Sequence, residues 1–327
     1  MFMNLIKPKK LNKGDTIGII ALSGAIESEE NIIRAKKYFE NKGYKVVLSD
    51  NIFDKNRYLA GSDEKKVEEL HKFFKNPEIK MILCARGGYG SIRLLDKIDW
   101  DLIKNNPKMF AGYSDVSAIE SMILTKTGLI TFYAPMAQSD FGITNTEIND
   151  LREKGKGKRK EKLSVSKFVE KSFFNTLINT KELEISPDKK KSKVYYQGEA
   201  KGILWGGNLT TIASMCGLDF IPDEKFIFFA EDLDEDTYKI DKMFTQLLNI
   251  EKFRKNLQGI ILGDFLDVKN KKLFGELFFE IGEKHKVPIL SGFKITHAKE
   301  KITLPYGAKA EFSTEDKILK IESYLKN

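Results

Sequence analysis

The sequence predicts an α/β protein, with a doubly wound parallel sheet in its N-terminal half and a less regular α+β region after it. Three observations predict this class. Short apolar runs alternate with amphipathic helical patterns through about the first 140 residues, the rhythm of a parallel sheet with crossover helices. The run IKMILCA, residues 79–85, is almost unbroken, as a strand covered on both faces requires. Beyond a lysine-rich stretch, strands and helices resume in a less regular order. With 327 residues, 41% hydrophobic and 31% charged, the chain has the composition of an ordinary globular protein with ample core.

Each element has its own local reason. TIGIIAL, residues 16–22, is the first strand. Residues 27–41 follow as a helix, with Ile32, Ile33, Ala35, Tyr38 and Phe39 at helical spacing and Gly43 as its stop. YKVVLS, residues 44–49, is the second strand, and residues 62–76 form an amphipathic helix capped by Ser62 or Asp63. After the third strand, the glycine-rich ARGGYGS opens a helix through Leu95. A polar connector holds one helix, at residues 165–177. The second patterned region has strands at 226–230, 259–265 and 287–291, helices at 238–249 and 273–284, and short terminal strands within 302–323. The expected division is an N-terminal sheet domain at 1–141, a lysine-rich connector at 142–193 and a C-terminal domain at 194–327.

A net charge of +8 raises nucleic-acid binding as a function class, but its distribution argues against it. Residues 151–162 carry +5 and residues 188–193 carry +3, so the rest of the chain is neutral. Both tracts lack aromatic residues and read as solvated linker. No apolar run reaches the roughly 18 residues that span a bilayer, and the N-terminus has no signal-peptide h-region. Cys84 and Cys216 sit in separate apolar stretches and read as buried free thiols, so a reducing, cytoplasmic location is expected.

The segment FAGYSDVSAIESMIL, residues 110–124, puts a serine at the corner between an apolar strand and a helix. Two readings stand: Ser114 or Asp115 caps the helix, or Ser114 is a nucleophile displayed on a tight turn. The G-x-S-x-G pattern is absent, because Val116 occupies the second glycine position. Gly87, Gly88 and Gly90 likewise form either a tight turn or a cradle of backbone N–H groups for an anion. They match neither a P-loop nor G-x-G-x-x-G.

A serine nucleophile needs a base, and the chain has three histidines. His71 lies on the amphipathic helix and His285 at a charged helix end, whereas His297 occupies a loop after the strand at 287–291. Glu231 and Asp232 are the first polar groups after the apolar strand FIFFA, where a carboxylate can reach a cleft. Helix-terminal electrostatics accounts for part of the acidic residues 234–236 but not for Glu231. No H-e-x-x-H or C-x-x-C spacing is present, and no metal is expected.

Taken together, GDTIGIIALSG, YLAGSDEKK, ARGGYGSIRLLDKIDW, FAGYSDVSAI and APMAQSDFG, followed by WGGNLTTIASMCGLDF, FAEDLDEDTYKIDKMFTQL, GDF and GFKITHAKEKITLPYGAKAEF, resemble one family in their joint order. It is the serine LD-carboxypeptidases, which include muramoyltetrapeptide carboxypeptidases and microcin C immunity peptidases. The resemblance implies a Rossmann-like N-terminal domain, a C-terminal domain, an active site in the cleft between them and a homodimer. Its serine falls on Ser114, its glutamate on Glu231 and its histidine on His297. The reaction so implied releases the terminal D-alanine of a murein tetrapeptide, without cofactor, nucleic acid or membrane. Backbone N–H groups of Gly88 and Asp115 are the expected oxyanion donors. Arg86 is the expected bidentate grip on the free carboxylate, with Gly87 and Asn208 as further substrate contacts. The rivals are the same chemistry on an aminoacyl or peptidyl nucleotide, and a non-catalytic anion- or nucleic-acid-binding module. Two departures from the family stand out: Ala21-Leu22-Ser23 replaces Ala-Pro-Ser, and Tyr133-Ala134-Pro135 replaces His-Gly-Pro. Both are expected to alter the cleft wall and neither to touch the triad.

Overall fold

A computed structural model describes residues 4–144 and 165–327; the basic tract at 151–162 lies outside the described residues. The first sheet contains β1 (Thr16–Ile20), β2 (Lys45–Leu48), β3 (Ile79–Cys84), β4 (Met109–Gly112) and β5 (Thr131–Tyr133), all parallel, in the order 2-1-3-4-5. Its last strand comes from far along the chain: Leu304–Tyr306 pairs antiparallel with β5. Helices α1 (Glu29–Asn41), α2 (Asp63–Lys75), α3 (Trp100–Asn105) and α4 (Ser117–Thr127) make the crossovers.

Capping sets the helix starts. The Ser28 hydroxyl accepts from Asn31 N, so α1 begins at Glu29 and leaves Glu27 in the loop after β1 rather than in the helix. Ser62, not Asp63, caps α2. The expected helix through Leu95 is a single 3₁₀ turn, Ser91–Leu94. Gly90 enters it at φ 141°, and the helix proper restarts as α3 only where the Asp99 carboxylate accepts from Leu102 N. The connector helix is present as α5 (Lys167–Ile178), and it docks Phe173 on Phe39 and Phe141 of the first layer.

The second sheet has eight strands. β8 (Glu199–Asn208), β9 (Phe226–Leu233), β10 (Leu257–Leu266) and β11 (Ile289–Ser291) run parallel at its centre. The antiparallel strands Lys309–Ser313, Ile318–Ile321 and β6 (Leu183–Ile185) extend one edge, and β7 (Val194–Tyr196) closes the other. β8 is missing from the sequence reading because three glycines interrupt its apolar pattern. They are there for close approach: a Cβ on Gly206 would lie 1.9 Å from Phe229 O, and one on Gly207 2.5 Å from Ser117 Oγ. Helix α4 therefore lies directly against β8, and Trp205 Nε1 donates to Ser121 Oγ across the contact at 3.0 Å. Cys84 is buried and Cys216 half-buried, both as free thiols. Among the described residues, no helix is long and apolar enough to cross a membrane.

Helix α4 also carries an uncompensated group. Glu120 is fully buried, and among the described residues neither carboxyl oxygen has a hydrogen-bond partner, although the Thr131 hydroxyl is its polar neighbour. Burial pushes its pKa well up, with Thr131 opposing only weakly. An acid whose folded pKa is raised binds more protons folded than unfolded. Stability is therefore full below the ordinary carboxyl value and falls as pH rises above it, by about 1.4 kcal/mol per pH unit across that window. Glu120→Met is expected to melt higher than wild type, by an increment that is small near pH 4 and grows toward neutrality. Thermal unfolding of both proteins at several pH values checks this; an increment independent of pH removes the explanation.

Candidate active site

Ser114 sits at the turn between β4 and α4 with φ 65°, a left-handed conformation uncommon outside glycine and held only where surrounding structure fixes it. Capping is not its role. A 3₁₀ turn, Ser114–Val116, precedes α4, and no side chain caps either element. The Asp115 carboxylate instead accepts from Ser91 N at 2.8 Å, tying the corner to the loop after β3. Gly112 permits the sharp turn, since a Cβ there would lie 2.8 Å from Val116 Cγ1.

His297, in the loop after β11, brings Nε2 within 2.9 Å of Ser114 Oγ and Nδ1 within 2.7 Å of Glu231 Oε2. Glu231 has no exposed surface, and the imidazole keeps 15% of its own. A carboxylate only accepts, so Nδ1 carries the hydrogen and the Nε2 lone pair faces the serine hydroxyl. The ring stands edge-on to Tyr113, with centroids 5.0 Å apart. A buried ion pair braces Tyr113 from behind: Lys301 Nζ donates to the Tyr113 hydroxyl at 2.8 Å and to Asp140 at 2.6 Å. Burial and Asp140 push the Tyr113 phenol up to about 12, so it stays neutral. Burial by itself disfavours the Lys301 ammonium, but Asp140 and Tyr113 outweigh it and raise its pKa.

Strand alternation separates the two carboxylates at the end of β9. Glu231 faces His297, whereas Asp232 accepts from Thr210 N and Oγ1 at 2.8 Å and from Asn208 Nδ2 at 2.9 Å. Burial raises the Asp232 pKa, with the Thr210 contacts opposing. Asn208, expected to touch substrate, is spent on structure. Its Oδ1 accepts from Thr211 N and Oγ1, and its Nδ2 donates to Asp232 and, at 3.4 Å, to Glu231 Oε1. The register pairs Asn208 with Glu231 on adjacent strands, so the amide supports the carboxylate, and both its polar atoms have partners within the protein. Tyr133 corrects another expectation, because it does touch the triad. Its hydroxyl donates to Glu231 Oε1 at 2.8 Å, and burial lifts its own pKa well above the usual phenol value.

The glycine loop lies on the other side of the serine. A Cβ on Gly87 would lie 2.9 Å from Ser114 Cβ, 3.0 Å from Oγ and 3.5 Å from Asp115 N, so Gly87 rather than Gly88 packs on the serine. Gly88, at φ 109°, faces Gly24. Arg86 is not the open fork expected. Its Nη1 donates to Ala25 O at 3.1 Å and pairs with Glu27 Oε1 at 2.6 Å, and Nε donates to Gly87 O at 3.3 Å. Gln138 joins the same loops, its N donating to Ala85 O and its Oε1 accepting from Glu27 N at 3.0 Å. His71 and His285 are remote from this chemistry. His71 Nε2 accepts from Asp99 N, His285 ends the helix Lys271–His285, and burial lowers both pKa values.

A hydroxyl, an imidazole and a buried carboxylate in relay form the arrangement that serine hydrolases use, which is recognised by geometry rather than by order in the chain. Residues 17–134 match the LD-carboxypeptidase N-terminal domain and residues 201–312 the LD-carboxypeptidase C-terminal domain. The chain belongs to the LD-carboxypeptidase family, and it is a carboxypeptidase of the serine type. It is 34% identical to a probable murein peptide carboxypeptidase of Bacillus subtilis, covering 97% of this chain and 94% of that one. It is 30% identical to the microcin C7 self-immunity protein MccF of Escherichia coli, over 95% of this chain and 94% of that one. The structure of muramoyltetrapeptide carboxypeptidase from Oxalobacter formigenes superposes with a TM-score of 0.80 at 27% identity, covering 95% of this chain and all of that one.

Proposed function

We propose that the protein removes the terminal D-alanine of murein tetrapeptides, with Ser114 as nucleophile, His297 as general base and acid, and Glu231 as the carboxylate that orients the imidazole. The carrying observation is the unbroken relay, 2.9 Å from serine to imidazole and 2.7 Å from imidazole to carboxylate. Ser114 Oγ attacks the scissile carbonyl while Nε2 takes its proton, and Glu231 stabilises the imidazolium. The tetrahedral oxyanion rests on N–H groups of the glycine loop and the corner, assigned to Gly88 and Asp115, with Gly87 leaving room for it. Collapse breaks the C–N bond as Nε2 protonates the departing amine, and water then releases the acyl group by the reverse proton transfers.

The similarity to the murein peptide carboxypeptidase supports this substrate. The similarity to MccF supports a second reading, hydrolysis of an aminoacyl or peptidyl nucleotide. Tyr58 and Tyr89, exposed and 5.9 Å apart beside the glycine loop, offer an aromatic face for that base. A non-catalytic anion- or nucleic-acid-binding role leaves the relay without a purpose. The proposal includes a cytoplasmic homodimer, with the chain divided at 1–141, 142–193 and 194–327. D-alanine release from tetrapeptides ending in L-Lys-D-Ala or diaminopimelyl-D-Ala tests the main reading. Release supports it, and no release alongside cleavage of an aminoacyl sulfamoyl nucleoside replaces it with the second.

A further inference from the structure

The loops after β1 and β3 flank the point where the strand order of the first sheet reverses, the place where open α/β sheets bind ligands. Arg86 stands on one of these loops and Glu27 on the other. Contacts of two kinds hold the guanidinium. Hydrogen bonds to the Ala25 and Gly87 carbonyls fix its plane from inside. The outer contact is the ion pair with Glu27, whose side chain is 72% exposed against 20% for Arg86. Among the described residues, Nη2 donates to no partner, and it lies 3.5 Å from the Cβ position of Gly88. Gly87, between them, touches the Ser114 side chain. A fixed cation with a free donor edge thus stands one residue from the serine, and an exposed, weakly held carboxylate shares it.

We propose that Glu27 is a resident competitor, occupying Arg86 until the α-carboxylate of a peptide's C-terminal residue displaces it. This rests on the carboxypeptidase reading of the site. Exposed ion pairs contribute little, whereas a carboxylate bound across both guanidinium edges is stronger, so the exchange favours the incoming anion. The same pairing re-forms when the free amino acid leaves. The sequence alone conceals this, because it assigns Glu27 to the first turn of α1.

Equilibrium binding tests the proposal without turnover. A peptide ending in L-Lys-D-Ala and its C-terminal amide are titrated into the Ser114→Ala protein and into the same protein carrying Glu27→Gln. Removing the competitor is expected to tighten the free acid about two- to fivefold, the range of an exposed ion pair, and to leave the amide unchanged. Unchanged or weaker binding of the acid, or equal gains for acid and amide, overturns the proposal. Weaker binding of both peptides assigns Glu27 to a substrate ammonium instead. Carboxylate-dependent binding of a peptide that the wild-type enzyme fails to cleave overturns the peptidase reading and leaves the Arg86–Glu27 exchange standing.

Discussion

Ser114→Ala is expected to lower kcat for release of the C-terminal residue by about 10⁴- to 10⁶-fold with the fold intact. The loss is large because the relay acts as a unit: without Oγ, the imidazole 2.9 Å away has no proton to take. Stability is expected to change little, since alanine meets the same left-handed backbone at φ 65° that serine does. His297→Ala is expected to lose a comparable factor, and the double variant scarcely more than either alone, the non-additivity of groups sharing one step. Single-turnover kinetics with thermal unfolding alongside reads both quantities. Retention of a tenth of wild-type activity by Ser114→Ala removes the nucleophile assignment.

The second large effect belongs to Glu231→Gln, expected to cost about 10⁴ in kcat while substrate binding is kept. The Tyr133 hydroxyl donates to Oε1 at 2.8 Å, so it holds the glutamine with its carbonyl toward Tyr133 and its NH₂ toward His297. Nδ1 must then accept a hydrogen bond, which places the ring hydrogen on Nε2, where the serine needs a lone pair. The amide also cannot balance the charge of the imidazolium. A pH–rate profile separates this from simple misfolding. A variant within tenfold of wild type at all pH values rules out the orienting role.

The three groups of the relay were legible because each carries a local signal. Ser114 stands where an apolar strand turns at once into a helix, Glu231 ends a run of buried positions, and His297 is the one histidine off a helix. Supporting groups carried no such signal. Tyr133 appears in the sequence only as the first residue of Tyr-Ala-Pro, and only the juxtaposition of β5 with β9 shows its hydroxyl on Glu231. Lys301 and Asp140, 161 residues apart, pair behind Tyr113 with no local pattern to join them. Asn208 and Arg86 are legible as site residues, but the neighbours that hold them are not. The Asn208 amide and two of the three Arg86 donor nitrogens bond to neighbours that no local pattern identifies, and among the described residues Nη2 of Arg86 is left open.

Local sequence specifies the strand–helix alternation of the first sheet, the body of α1, helix α2 with a cap at Ser62 or Asp63, and the serine corner. These follow from periodicity and capping, which act over a few residues. Long-range packing settles that β8 is a strand despite its glycines, that Leu304–Tyr306 completes the first sheet, and how the polar groups around Ser114 divide their hydrogen bonds. The physical reason is common to all three. A glycine's use depends on which atom approaches it, an edge strand's sheet on which edge is open, and a buried polar group's role on which partner satisfies it. Each is a relation between residues far apart in the chain, fixed only when the two sheets close on α4.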